Sequence, residues 1–211
     1  MKTKHRRLPR HVREQQMIDA AVAAFSRGDY HSVRVEEIAE AAGSSKPTVY
    51  HYLGSKEGVF VACVRRETDR LVGAIRGAVR DPAAPAEEDP LLRGMRAFFV
   101  FVTANRDSWT VLYRRASAQT GSLAREADRA RERVIAEVAG LVAEYTRAEG
   151  GAGCRLEDKD ARLLARIAVS TADAYTDWLL EHPEESPEST AGIVTELTRS
   201  HLRSRKTVAA G

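Results

Sequence analysis

Three observations predict an all-α chain. Apolar residues recur at three- and four-residue spacing along most of the 211 residues. Glycines and prolines punctuate these stretches at helix-length intervals. No strand-like alternation of useful length appears, and no internal repeat. With 43% hydrophobic residues the chain has enough apolar surface for one or two helical cores.

The first helix carries Ile18, Ala21, Val22 and Phe25 on one face and ends at Gly28, before an Asp29-Tyr30 loop. The second carries Val35, Ile38, Ala39 and Ala42. Gly43 closes it, because glycine takes the left-handed conformation at no steric cost. Val33 and Arg34 stand at the start of this helix, and Ser32 is expected to cap it. Only Ser44 and Ser45 separate Gly43 from a third helix starting near Lys46, and either serine suits its cap. Pro47 is tolerated there because first-turn amides have no helical partner. Two helices joined by so short a turn cross steeply, which is the helix-turn-helix arrangement.

On the third helix Val49 and Leu53 form the docking face. Lys46, Pro47, Thr48, Tyr50 and His51 are left pointing outward within two turns of the start, with no acid between Ala41 and Ser55. A helix N-terminus of this chemistry suits the major groove of DNA. Lysine donates to guanine, threonine bonds a base or touches a thymine methyl, and tyrosine and histidine reach phosphate. Ser55 caps a fourth helix and puts Lys56 in its first turn, where free amides attract an anion; a bound phosphate would satisfy both. Arg34 is a further candidate for a charge-assisted phosphate contact.

The fourth helix continues through Phe60, Cys63, Val64, Leu71 and Ile75 to a break at residues 81–85 and Pro90. Beyond it, helices are expected near 91–105, 107–118, 122–149, 157–181 and 189–206. Four segments follow: a basic arm over 1–13, a helix-turn-helix domain over 14–58, a connecting helix over 59–80 and a helical domain over 81–211.

Charge is distributed unevenly. Residues 1–80 hold 15 Lys/Arg against 9 Asp/Glu, whereas residues 81–211 hold 18 against 21, so the excess positive charge lies with the helix-turn-helix. Lys2, Lys4, Arg6, Arg7, Arg10 and Arg13 precede the first acid, Glu14. Such an arm suits phosphates or the minor groove, and equally a solubilising tail. The arm lacks the apolar region of a secretory signal and no later run approaches a membrane span, so a cytoplasmic protein with no membrane partner is expected. Cys63 belongs to an inner stripe, and Cys154 reads as an exposed free thiol. The six histidines show no ligand spacing, so neither metal nor cofactor is expected.

The chain resembles the TetR family of transcriptional regulators over roughly residues 11–60. The resemblance is carried by the Ala21–Phe25 run, Gly28 with Tyr30, Val35 to Ala39, Ala42-Gly43, Thr48-Val49-Tyr50 and Ser55-Lys56-Glu57, in order. Leu53 and Ser44 depart from the usual aromatic and aliphatic residues at their positions. The resemblance implies an N-terminal three-helix helix-turn-helix domain followed by a C-terminal helical ligand-binding and dimerisation domain. It also implies a homodimeric repressor released from double-stranded operator DNA by a small molecule, with a ligand-responsive activator as the alternative. The DNA-binding set is then Arg34, Ser45, Lys46, Pro47, Thr48, Tyr50, His51 and Lys56.

The same resemblance places a cavity for an apolar or amphipathic effector among Met95, Phe98, Phe99, Val102, Trp109, Leu112, Tyr113, Tyr145, Thr171, Tyr175 and Trp178. Core packing competes for the same residues. Two stripes suit a four-helix bundle between chains: Val134, Ile135, Val138, Leu141 and Val142, and Leu164, Ile167, Ala168, Thr171, Ala172 and Tyr175. Intrachain packing is the competing role. An enzyme is disfavoured by the lack of a nucleophile elbow, phosphate loop or metal-ligand cluster. A nonspecific architectural DNA protein is disfavoured by the bulky apolar second half.

Overall fold

The computed structural model describes residues 9–85, 87–150 and 158–209. The basic residues before Pro9 and Cys154 lie outside the described residues. Helices α1 (Arg10–Arg27), α2 (Val35–Ala41), α3 (Lys46–Leu53) and α4 (Lys56–Val79) are followed by α5 (Pro90–Ala104) and α6 (Arg106–Trp109). A π-helical segment, Thr110–Arg115, continues α6. Then come α7 (Gly121–Gly150), α8 (Asp158–Glu181) and α9 (Pro187–Ala209). No strand occurs among the described residues, and none of their helices is long and apolar enough to cross a membrane.

Two compact units partition the chain, one of residues 1–67 with 107–128 and one of 68–106 with 129–211. The division runs inside α4, not at the proline-rich link after it, and the segment around α6 joins the first unit.

In the first unit Phe25, Ile38, Val49, Val59, Phe60 and Cys63 are fully or almost fully buried, and the Phe25 and Phe60 rings meet edge-to-face at 5.1 Å. The turn between α2 and α3 is a Schellman closure. Gly43 takes φ 58°, its amide donates to Glu40, and the Ser44 amide donates to the Ala39 carbonyl at 2.8 Å. Ser45 then caps α3, its hydroxyl accepting from the Thr48 amide at 3.4 Å. The next turn depends on Gly58, where an added Cβ would stand 2.0 Å from the Leu53 carbonyl oxygen. The Ser55 hydroxyl caps α4 there by accepting from the Gly58 amide at 3.1 Å. Ser32 does not cap α2. Its hydroxyl donates to the Asp29 carbonyl at 2.9 Å, and Arg34 is the cap residue, without a side-chain cap bond. The local turn satisfies the serine first.

In the second unit α5, α8 and α9 pack on one another. Phe99, Val102, Leu71, Leu164 and Val194 are almost fully buried. Arg76 grips Glu137 through two hydrogen bonds of 2.7 and 2.5 Å, Arg80 reaches Glu144 at 2.8 Å, and Arg131 reaches Asp173 at 2.7 Å. Asp89 caps α5, accepting from the Leu91 amide, and also pairs with Arg199. The cap extends α5 back to Pro90, one residue before the expected start.

Candidate nucleic-acid interface and cavity

On α3 the burial pattern follows from one residue. Val49 is wholly buried, so Pro47 and His51 on the opposite side of the helix are exposed; Lys46, one turn before Val49, is exposed as well, with Thr48 and Tyr50 half-buried. Lys46 is not a freely sampling lysine. Its ammonium donates to Glu36 Oε1 at 2.7 Å and lies 5.6 Å from the centre of the Tyr50 ring. This hydrogen bond, with the charge of Glu36, holds the lysine above its ordinary pKa and the carboxyl below its own. Thr48 Oγ1 is 2.8 Å from Ser45 Oγ, so the cap also fixes the threonine rotamer. Arg34 is engaged with Glu37 at 2.7 Å while remaining 72% exposed.

Lys56 is anchored from a distant part of the chain. It donates to the His31 carbonyl at 3.1 Å and stands over the Tyr30 ring at 4.9 Å. Partial burial pushes its pKa down, with Glu37 opposing. All eight candidate DNA-facing residues lie in the first unit, from the start of α2 to the start of α4. The Lys46–Glu36 pair was not legible in the sequence, because it depends on how α2 and α3 cross, whereas Arg34 and Glu37 pair locally at i,i+3 spacing.

In the second unit a cavity of about 70 Å³ is walled by Ile75 and Val79 of α4, Pro90, Leu91, Gly94, Met95 and Phe98 of α5, and Val134, Val138, Leu141, Val142 and Tyr145 of α7. Ala168, Val169 and Ala172 of α8 and Thr195 and Thr198 of α9 complete it. Of the expected ligand residues, Met95, Phe98 and Tyr145 line this cavity. Phe99 and Val102 are fully buried off its wall, while Thr171 and Tyr175 are half-buried elsewhere. Trp178 is 41% exposed and stacks on His182 at 4.4 Å. Trp109, Leu112 and Tyr113 belong to the first unit, where the Trp109 and Tyr113 rings stack at 3.7 Å.

Ala168 and Ala172, expected on a face toward another chain, instead line the chain's own cavity. Among the described residues, the large apolar side chains left outward are Val100 on α5, Leu163, Ile167 and Trp178 on α8, and Ile193 and Leu197 on α9, each at least 36% exposed. Burial pushes the Cys63 thiol far above its ordinary pKa, which disfavours the nucleophilic thiolate. No group of His, Cys, Asp and Glu among the described residues could hold a metal ion.

A family model described as "Bacterial regulatory proteins, tetR family" matches residues 17–63, and one described as "Tetracyclin repressor-like, C-terminal domain" matches residues 88–202. A solved TetR-like transcriptional regulator from Rhodococcus sp. RHA1 is 35% identical, with a TM-score of 0.71 over 93% of this chain and 99% of that one. The HTH-type transcriptional activator FasR of Mycolicibacterium smegmatis is 33% identical over 107 residues, 51% of this chain and 48% of its own length. The chain thus spans about half of that curated relative. The transcriptional regulator FadR from Bacillus subtilis, solved in complex with stearoyl-CoA, shares the fold at 20% identity and a TM-score of 0.72, covering 87% of this chain and 96% of that one.

Proposed function

The chain belongs to the TetR family of bacterial regulatory proteins, and on that premise we propose that it is a homodimeric, sequence-specific repressor released from its operator by an apolar or amphipathic small molecule. One observation carries the DNA-binding part. Burial of Val49 turns the N-terminal turns of α3 outward, with Lys46, Thr48 and Tyr50 presented and braced by neighbours. Lys46 and Thr48 read bases in this proposal, while Tyr50, Lys56 and Arg34 meet phosphates.

The effector part is supported by the apolar cavity of the second unit, and by a protein of this fold, FadR, having been solved with an acyl-CoA. Two chains associate, in this reading, through the outward residues of α8 and α9. Recognition helices of such a dimer need to stand about 34 Å apart to enter successive major grooves, and an effector that favours another separation releases DNA. Activation is the second reading, favoured by the similarity to FasR.

The test maps bound genomic sites and then measures transcription from a mapped promoter with the purified protein. Repression relieved by an effector supports the first reading, stimulation supports the second, and no sequence preference over random duplex rejects both.

A further inference from the structure

We infer that the part of the effector that enters the cavity is neutral and carries one hydrogen-bonding group, which meets the hydroxyl of Thr195; this rests on the reading of the cavity as the effector site. Among the described residues the wall is apolar apart from Tyr145, Thr195 and Thr198. Thr198 uses its hydroxyl conventionally for a helix, donating to the Val194 carbonyl at 2.9 Å, and Thr190 does the same toward the Ser186 carbonyl at 3.1 Å. Thr195 departs from this habit. It is only 3% exposed, yet among the described residues its Oγ1 has no hydrogen-bond partner.

A buried hydroxyl without a partner is destabilising, and such groups are rare enough to call for a physical explanation. Thr195 lies on the cavity wall, so a ligand can reach it with an alcohol, a ketone or an ester carbonyl. The charge of that group is constrained as well. Among the described residues no lysine, arginine or histidine lines the cavity, so a carboxylate inside would meet no counter-ion from them to offset its desolvation. An anionic portion of an amphipathic effector would stay outside.

The experiment uses the full chain with 1-octanol and octanoate as probes, and the variants Thr195→Val and Thr190→Val. Valine keeps the shape of threonine and removes the hydroxyl. Wild type is expected to bind octanol at least tenfold more tightly than octanoate. Thr195→Val should lose roughly tenfold for octanol. Without ligand, Thr195→Val should melt no lower than wild type, because no protein hydrogen bond is lost; Thr190→Val, which loses a hydrogen bond away from the cavity wall, should melt lower and bind octanol like wild type. Equal octanol affinity in wild type and Thr195→Val overturns the inference while leaving the cavity as an effector site. Tighter binding of octanoate overturns it too. Binding of neither probe by the folded wild type overturns the inference together with the effector reading of the cavity.

Discussion

Lys46 of α3 donates to Glu36 of α2 across the turn that joins them, at 2.7 Å, so the cation proposed to read a base is held by an acid of the same unit. In the proposed complex this pair would compete with DNA. A lysine that must leave a carboxylate before it meets a nucleic acid gives up affinity for any sequence, and recovers it only where its new partner is well placed.

Glu36→Gln should therefore strengthen binding to random duplex more than to the operator, and steepen the salt dependence by about one charge. Hydrogen bonding to Lys46 keeps the Glu36 carboxyl below its ordinary range. The restraint is thus in place at every pH above that range and is lost as pH falls through the depressed value. Wild type and Glu36→Gln should converge in acid. Fluorescence anisotropy across pH and salt checks this, and an unchanged specificity ratio at neutral pH would count against it.

Lys46→Ala and Lys56→Ala should fail differently. Loss of the α3 lysine should relax preference at one operator position, with a cost of roughly tenfold or more per half-site. Lys56 is held by the His31 carbonyl and the Tyr30 ring, so its loss should weaken all sequences alike and lower the salt slope by about one. Equal losses on operator and random DNA for both variants would reject the division.

Ile167→Asp and Leu197→Asp should convert a dimer near twice 23.3 kDa into monomers by light scattering, with helicity retained, because both side chains are exposed in the single chain. Ala168→Asp should instead lower the melting temperature, since Ala168 is 4% exposed and faces the chain's own cavity. A wild type that is monomeric at micromolar concentration would end the dimer proposal.

Ala172→Leu should fill part of the cavity, abolish the response to an effector and leave operator binding intact, at a stability cost of about 1–3 kcal/mol from overpacking. Linkage adds a second check, because an effector that weakens operator binding must itself bind more weakly, by the same factor, in the presence of operator. An effector held with identical affinity with and without operator would exclude the proposed switch.

Gly58→Ala should cost about 3 kcal/mol or change the entry of α4, because its Cβ would meet a backbone carbonyl that no rotamer change can move aside. Urea denaturation read by circular dichroism measures it, and a fully stable variant would show that the α3–α4 turn relaxes.

Helix order, the glycine closure after α2, a serine cap for α3 that the structure assigns to Ser45 over Ser44, the Ser55 cap and the outward face of α3 were all determined by the sequence itself. Each depends on contacts between residues a few positions apart, where spacing and side-chain type suffice. Tertiary structure alone decided which acid would hold Lys46, that Lys56 would meet a carbonyl 25 residues upstream, and that residues 107–128 would pack with the first unit. It also decided which apolar residues would wall a cavity and which would fill a core, placing Phe98 on the wall and Phe99 off it. Adjacent helical residues point about 100° apart, so their fates separate once neighbouring helices are in place, and no periodicity within one helix records where those neighbours come to rest.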